Sequence, residues 1–82
     1  MQITYSKQAL KKLRGLQPKI AKTIRDKINN IAQGETKGLD IKALEGRNGF
    51  RLRHGDWRVI YTEDGHVLRV ERVAPRGRVY KG

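Results

Sequence analysis

The spacing of apolar residues changes near the middle of the chain and predicts a helical first half and a strand-rich second half. Gln2 to Tyr5 alternates polar and apolar residues, which is typical of a short strand with one buried face. After Ser6, a candidate N-cap, leucines recur every three residues at positions 10, 13 and 16 and predict a short amphipathic helix that is interrupted near Gly15. Pro18 suits the first position of a second helix, and Gly34 suits the position just after its end. The apolar stripe of this second helix is Ile20, Ile24, Ile28, Ile31 and Ala32.

The remaining segments are a connector and three strands. Glu35 to Asn48 holds few apolar residues, and we interpret it as a connector whose Leu39, Ile41 and Leu44 dock onto the core. From Gly49 onward the apolar period becomes two. The first predicted strand begins after Gly49 and includes Phe50 to Arg53. The other two are Trp57 to Thr62 and Val67 to Val73, and tight turns at Gly55-Asp56 and Asp64-Gly65 connect the three.

The resulting element order, β-α-α-β-β-β, predicts an α+β fold in a single domain over residues 1–82. Because the first strand is separated from the others by two helices, it cannot form a hairpin with any of them. We therefore expect a small, mostly antiparallel sheet with the N-terminal helical hairpin packed on one face.

The strand registers predict which side chains share a face of this sheet. With two-residue loops at both turns, His54 stands opposite Trp57, Arg53 opposite Arg58, Glu63 opposite His66 and Glu71 opposite Arg58. The side that faces the helices is then Phe50, Leu52, Val59, Tyr61, Leu68 and Val70. The other side is Arg51, Arg53, Arg58, Ile60, Arg69 and Glu71, and we expect it to form a platform of arginines.

Charge sets this chain apart from an ordinary small domain. Its 82 residues include 19 Lys and Arg against 8 Asp and Glu, a net charge of +11 with both His neutral. Such an excess attracts polyanions. Beyond Asp40 most basic residues are Arg, whose planar guanidinium binds phosphate in a bidentate manner. We expect a nucleic-acid partner rather than a membrane, because the Lys-bearing helices lack the bulky apolar face of an interfacial helix.

The opposed Arg53 and Arg58 have two interpretations, because like charges across a strand pair cost stability. In the first, Arg53 extends into solvent and Arg58 forms an ion pair with Glu71. In the second, the pair is a preorganised phosphate site. Basic and aromatic residues that return after Pro75 favour the second interpretation: Arg76, Arg78 and Tyr80.

Several protein classes are excluded by composition. The chain has no cysteine, and two His make no metal site alone, so we expect neither metal nor cofactor. A domain of this size buries about 60% of its unfolded surface, which leaves any chemistry on an open face. No apolar run is long enough to cross a membrane and the start lacks a signal peptide's apolar stretch, so we expect a cytoplasmic protein.

Three motifs occur in a fixed order: RLRHGDWRVIY at residues 51–61, Asp64-Gly65, and RGRVY at residues 76–80. In this order and in a chain of this length, they resemble the RelE/ParE toxin superfamily of bacterial type II toxin-antitoxin modules. The resemblance implies a small sheet flanked by a helical hairpin and a cognate antitoxin as partner. RelE-like members cut mRNA in the ribosomal A site, where the ribose 2′-OH attacks the adjacent phosphate and leaves a 2′,3′-cyclic phosphate. An endoribonuclease with the ribosome and mRNA as partners is the favoured expectation.

Matched residue by residue, the resemblance assigns Arg58 to the scissile phosphate and Arg76 to the phosphorane or the leaving oxygen. Tyr80 is assigned to base stacking or proton transfer, and these three are the candidate catalytic residues. The candidate RNA- or phosphate-binding residues are Arg51, Arg53, Arg78 and His54. Of the two His, His54 is expected closer to the platform.

Two departures from the family pattern concern the general base. Arg51 and Arg53 stand where relatives carry basic residues that include Lys, and Arg does not readily release its proton. Ala74-Pro75 replaces the Gly-His or Gly-Lys of many relatives, so a catalytic His is absent there.

Two alternatives remain beside the nuclease. A ParE-like toxin would bind and poison DNA gyrase without cutting RNA, and it would not require a phosphate-binding platform. A non-catalytic RNA-binding domain ranks last, because Trp57 and Tyr80 are the only candidates for a stacking surface.

Overall fold

The architecture comes from a computed structural model, in which residues 1–76 are described. Within them the chain forms two helices and five strands. In chain order these are β1 (Gln2–Tyr5), α1 (Lys7–Gly15), α2 (Pro18–Ala32), β2 (Asp40–Ala43), β3 (Phe50–His54), β4 (Trp57–Glu63) and β5 (Val67–Pro75). The strands form one sheet in the order β1-β5-β4-β3-β2, in which β1 runs parallel to β5 and all other neighbours are antiparallel. The α+β prediction is confirmed.

Local signals set the helix ends as predicted. The Ser6 hydroxyl caps α1 by accepting the Ala9 N–H at 3.0 Å. Pro18 is the first residue of α2. At the other end, Gly34 adopts φ +81° and its N–H donates to the Ile31 carbonyl at 3.0 Å, while the Glu35 N–H reaches back to Asn30 at 2.8 Å. This pair of bonds is the Schellman motif that ends many helices.

The main core lies between the helices and one face of the sheet. Its most deeply buried side chains are Leu13, Ile24, Ile28, Leu52, Val59, Leu68, Val70 and Val73. Phe50 and Tyr61 stack with their ring centroids 5.4 Å apart. The six side chains predicted to face the helices all belong to this core or pack against it, so that prediction is confirmed. No helix within residues 1–76 is long and apolar enough to span a membrane.

The segment predicted as a connector, residues 35–48, contains the edge strand β2, so that prediction was wrong in one respect. Lys42 pairs with Arg51, and Ile41 pairs with Leu52. Leu39 and Ile41 pack against the main core as predicted, while Leu44 packs on the other face against Ile60. Leu39, Ile41 and Ala43 do alternate with Asp40 and Lys42, but the run is short and lies in a segment rich in Gly and polar residues, so the connector interpretation overlooked it.

The register between β4 and β5 also differs from the prediction. Glu63 pairs with Leu68 rather than with the predicted His66, a shift of two residues, and Tyr61 pairs with Val70. The cause is Asp64, whose Oδ1 accepts the N–H groups of His66 and Val67, both at 2.8 Å. This side-chain turn occupies residues 64–67, where the prediction allowed two residues.

A bulge in β5 then shifts the register a second time. Tyr61 pairs with Val70 but Ile60 pairs with Arg72, so Glu71 has no partner across the ladder. Arg58 consequently stands opposite Ala74, and the prediction that it faces Glu71 was wrong. Because the bulge reverses the alternation, Arg72 joins the outward face while Val73 returns to the core.

Candidate functional site

The sheet face opposite the helices carries five arginines, which we call the arginine face: Arg51, Arg53, Arg58, Arg69 and Arg72. The ladder places them there, because Arg51 and Arg72 flank the outward residue Ile60 and Arg53 stands beside Arg58. Four of the five follow the predicted parity. Arg72 was missed, although a signal exists in the sequence: apolar residues at 68, 70 and 73 break the alternation between Val70 and Val73.

The predicted Arg53–Arg58 cross-strand pair is present at the end of the β3–β4 hairpin. Both guanidinium groups converge on one backbone oxygen, that of Gly55, with Arg53 Nε at 3.4 Å and Arg58 Nη1 at 3.2 Å. Arg58 Nη1 is also 3.4 Å from the Trp57 carbonyl oxygen. Arg53 is exposed, whereas Arg58 is only 8% exposed. Two cations are therefore held side by side at one turn, which orients them before any ligand arrives.

The expected ion pair between Arg58 and Glu71 is not formed. Glu71 accepts instead from Arg47 at 2.9 Å and from the Thr62 hydroxyl at 3.3 Å. The bulge causes this exchange, because it moves the Glu71 side chain away from the position opposite Arg58. The interpretation that Glu71 neutralises Arg58 is therefore wrong.

Arg51 is restrained by an acidic neighbour on the edge strand. Its Nη2 lies 3.0 Å from Asp40 Oδ1, and the residue is only 9% exposed. A phosphate that binds Arg51 must therefore compete with this carboxylate. Arg51 contributes positive charge to the arginine face but has less freedom to grip a ligand than Arg53 has.

Arg76 lies beside the same turn as the opposed pair. Its backbone N–H donates to the Asp56 carbonyl at 2.7 Å, and its side chain is exposed. Three residues earlier on β5, where the pairing with β1 has ended, the Gln8 side-chain amide donates to the Val73 carbonyl at 2.9 Å and accepts the Val73 N–H at 3.0 Å. These contacts hold the last part of β5 in place and bring the Arg76 backbone to Arg53 and Arg58. The candidate residues Arg78 and Tyr80 lie outside the described residues.

His54, which we expected near the platform as a phosphate-binding candidate, lies on the helix side of the sheet, away from the arginine face. Its Nδ1 is 2.9 Å from Lys27 Nζ on α2. An ammonium group only donates, so Nδ1 accepts and the ring proton is on Nε2. Burial, and secondly the charge of Lys27, lowers the pKa of His54 below its usual 6.5. A neutral imidazole that faces away from the arginines is poorly suited to binding phosphate there.

We expect Lys27→Met to raise the pKa of His54, because it removes the neighbouring positive charge and leaves the burial in place. Burial is the larger cause, so the pKa should recover only in part towards 6.5. NMR titration of the imidazole Cε1–H signal measures it. The matched control is Lys22→Met on the same helix, where the lysine pairs with Asp26 at 2.8 Å. An unchanged pKa in Lys27→Met would contradict the contact.

The remaining titratable groups offer little else at this face. Burial raises the pKa of Tyr61 to about 12, so this core phenol stays protonated. Among the described residues, no three His, Cys, Asp or Glu side chains group as metal ligands. The chemistry of the described face is therefore that of fixed positive charge.

Known proteins share the fold of this chain. The family model for the ParE toxin of type II toxin-antitoxin system, parDE, matches residues 3–80. The toxin of an archaeal RelE-RelB complex from Pyrococcus horikoshii is 28% identical, with a TM-score of 0.77 over 95% of this chain and 97% of its own. A RelB-RelE complex from Methanococcus jannaschii gives 25% identity and a TM-score of 0.74 over 88% of both chains.

The isolated Escherichia coli RelE toxin shares the fold at 16% identity, with a TM-score of 0.75 over 96% of this chain and 87% of its own. No curated protein sequence matches significantly. The family match covers nearly the whole chain and agrees with the fold of the solved toxins. This chain therefore belongs to the ParE toxin family, within the RelE/ParE superfamily of toxins from type II toxin-antitoxin systems.

Proposed function

We propose that this toxin is an endoribonuclease that cuts mRNA on the ribosome. The observation that carries the proposal is the convergence of Arg53 and Arg58 on the Gly55 carbonyl, with the Arg76 backbone bound at the same turn. A gyrase-binding surface has no need for guanidinium groups held in this way. RelE-like members of the superfamily, which the resemblance first indicated, cut mRNA at the ribosomal A site.

The reaction that fits this face is transesterification at one phosphodiester. The ribose 2′-OH loses its proton and its oxygen bonds to the adjacent phosphorus, while the bond to the 5′-oxygen breaks and that oxygen gains a proton. The products are a 2′,3′-cyclic phosphate and a 5′-OH end. Arg58 stabilises the extra negative charge of the phosphorane, and Arg76 neutralises it or the leaving oxygen. Tyr80 remains our candidate for proton transfer or base stacking.

His54 and Glu71 are not available as a general base on the arginine face. Arginine does not readily release a proton, His54 faces α2, and Glu71 is bound to Arg47 and Thr62. Catalysis by these residues is therefore mainly charge stabilisation. An enzyme of this kind needs its substrate held in line for attack, and we propose that the ribosome does so.

The alternative, a toxin that poisons DNA gyrase, is favoured by one observation: the matching family model describes the ParE toxin. In vitro translation with the purified full chain separates the two. Primer extension on the mRNA should reveal discrete cuts in codon register if the toxin is a nuclease. Intact mRNA together with blocked DNA supercoiling would instead identify a gyrase poison.

Expression of this toxin alone should stop growth, and a short acidic antitoxin should restore it. With a net charge of +11, the toxin presents a surface that an acidic partner finds rapidly and covers. Toxins of this fold have been solved in RelB-RelE complexes, which supports such a partner here. Colony counts after induction, with and without co-expression of an acidic antitoxin, measure both effects. Normal growth at high toxin levels would contradict the proposal. If the target is the ribosome, the toxin acts in the cytoplasm.

A further inference from the structure

The arginine face continues into a pocket of about 480 Å³ at the edge of the sheet. It lies between β2, the loop after it, and the outward side of β4, and we call it the β2 pocket. Its polar lining is Lys42, Glu45, Arg47 and Arg51, and its main apolar lining is Leu44 and Ile60. The volume is within the usual range for ligand sites, about 300–1,000 Å³.

The apolar lining forms a floor that is separate from the main core. Ile60 is 2% exposed and packs with Ala74, and Leu44 packs against them from the loop. Such a floor contributes nothing to binding a bare phosphate group. A flat, weakly polar ring gains from contact with the apolar floor and with the polar side chains around it.

Two of the three cations that line the β2 pocket are held by carboxylates outside it. Arg47 is held by Glu71 at 2.9 Å and Arg51 by Asp40 at 3.0 Å. Their guanidinium groups are therefore oriented, and planar guanidinium groups stack on bases. Glu45, which is exposed at the pocket, is a hydrogen-bond acceptor that repels phosphate but accepts from base amino groups.

The strand register links the β2 pocket to the proposed phosphate site. Ile60 pairs with Arg51, and Arg58 with Arg53 is the next outward pair along the same two strands. Residues two apart on a strand are about 6.8 Å apart, which is within the reach of a single nucleotide. A phosphate at Arg58 therefore leaves the base of an adjoining nucleotide at the pocket.

We propose that the β2 pocket is a nucleobase subsite that holds the base next to the scissile phosphate. This inference rests on the proposed function, in which the substrate is RNA. Leu44 contacts the ring above the buried Ile60, the arginine walls flank it, and Glu45 accepts from its amino group. Cytosine carries an amino group at C4, where uracil carries an oxygen. The pocket therefore discriminates cytosine from uracil, because the uracil oxygen would face the Glu45 carboxylate.

NMR of the full-length toxin tests the subsite without requiring cleavage. The trinucleotide CCC should shift the methyl signals of Leu44 and Ile60 through the ring current of the bound base, and leave the helix-side methyl signals of Leu13 unchanged. Inorganic phosphate at the same concentration should not produce these shifts. Unmoved signals, or the same shifts with phosphate, would overturn the proposal. So would shifts that appear with the antitoxin and never with RNA.

Base selectivity is tested by titration of the same signals. We expect CCC to bind about fivefold more tightly than UUU, and Glu45→Gln to remove the difference. Glu35→Gln is the control, because it removes the same charge from an exposed residue outside the pocket. Equal affinities in the unmodified toxin would overturn the selectivity. If RNA binds in this way but translation assays show no cuts, the subsite stands and the nuclease proposal fails; if cuts occur without the shifts, the nuclease stands and the subsite fails.

Discussion

Replacing Arg58 with leucine should reduce ribosome-dependent mRNA cleavage by about 10²–10³-fold, the usual cost of removing a preorganised group that stabilises transition-state charge. Arg58 stands opposite Arg53 and donates to the Gly55 carbonyl at 3.2 Å, so its guanidinium is oriented before the substrate binds. Primer extension on translated mRNA measures the rate of cutting, and a growth assay measures toxicity. Loss of both is the expected result.

The control for this change is Arg14→Leu, which removes the same charge from an exposed position on α1, far from the arginine face. It should cut at the normal rate. Because Arg58 is only 8% exposed, thermal melts of all variants at matched salt must accompany the rates. If the leucine variant melts much lower, Arg58→Lys serves as the second test, since it keeps the charge but loses the planar fork and should cut at an intermediate rate. A folded variant that remains fully active would show that the active site lies elsewhere.

Naked mRNA should be cut on the order of 10³-fold more slowly than mRNA on the ribosome. The described face offers fixed arginines on an open surface, which stabilise charge but do not by themselves hold an RNA strand in line for attack. Holding the 2′-OH in line with the leaving oxygen is therefore left to the ribosome. Initial rates on the same mRNA, free and bound to programmed ribosomes, measure the ratio.

The folded Arg58→Leu protein, used at the same concentration, detects any contaminating nuclease in this comparison. Rapid cutting of free mRNA by the toxin at low concentration, absent from the Arg58→Leu sample, would contradict the role assigned to the ribosome. It would also require a general base other than His54 and Glu71.

Much of the site could be predicted from the sequence because one turn has strong local chemistry. Gly55 adopts φ +58°, as a two-residue hairpin turn requires, and this sets the pairing of Arg53 with Arg58. The next turn contains similar residues but behaves differently. Asp64 caps two backbone N–H groups and lengthens the loop, so every pairing counted from it was displaced.

Residues far apart in sequence account for the other errors. The edge strand β2 forms because β3 offers it a ladder, and Arg51 gains Asp40 as a partner only when the two strands meet. His54 alternates to the helix side, where Lys27 lies on an element 27 residues earlier. Neither partner leaves a mark on the local pattern, so neither could be predicted.

By itself, the sequence determined the two helices, their caps, the main strands, the helix-facing core and the positive charge of the opposite face, because periodicity and turn chemistry act over a few residues. Only the tertiary structure decided how that charge is used. The bulge at Glu71 separates this carboxylate from Arg58 and leaves it bound to Arg47, and it turns Arg72 outward. A bulge is chosen by the competition between two strands for hydrogen bonds and core contacts, so it is a property of the sheet and not of either strand alone.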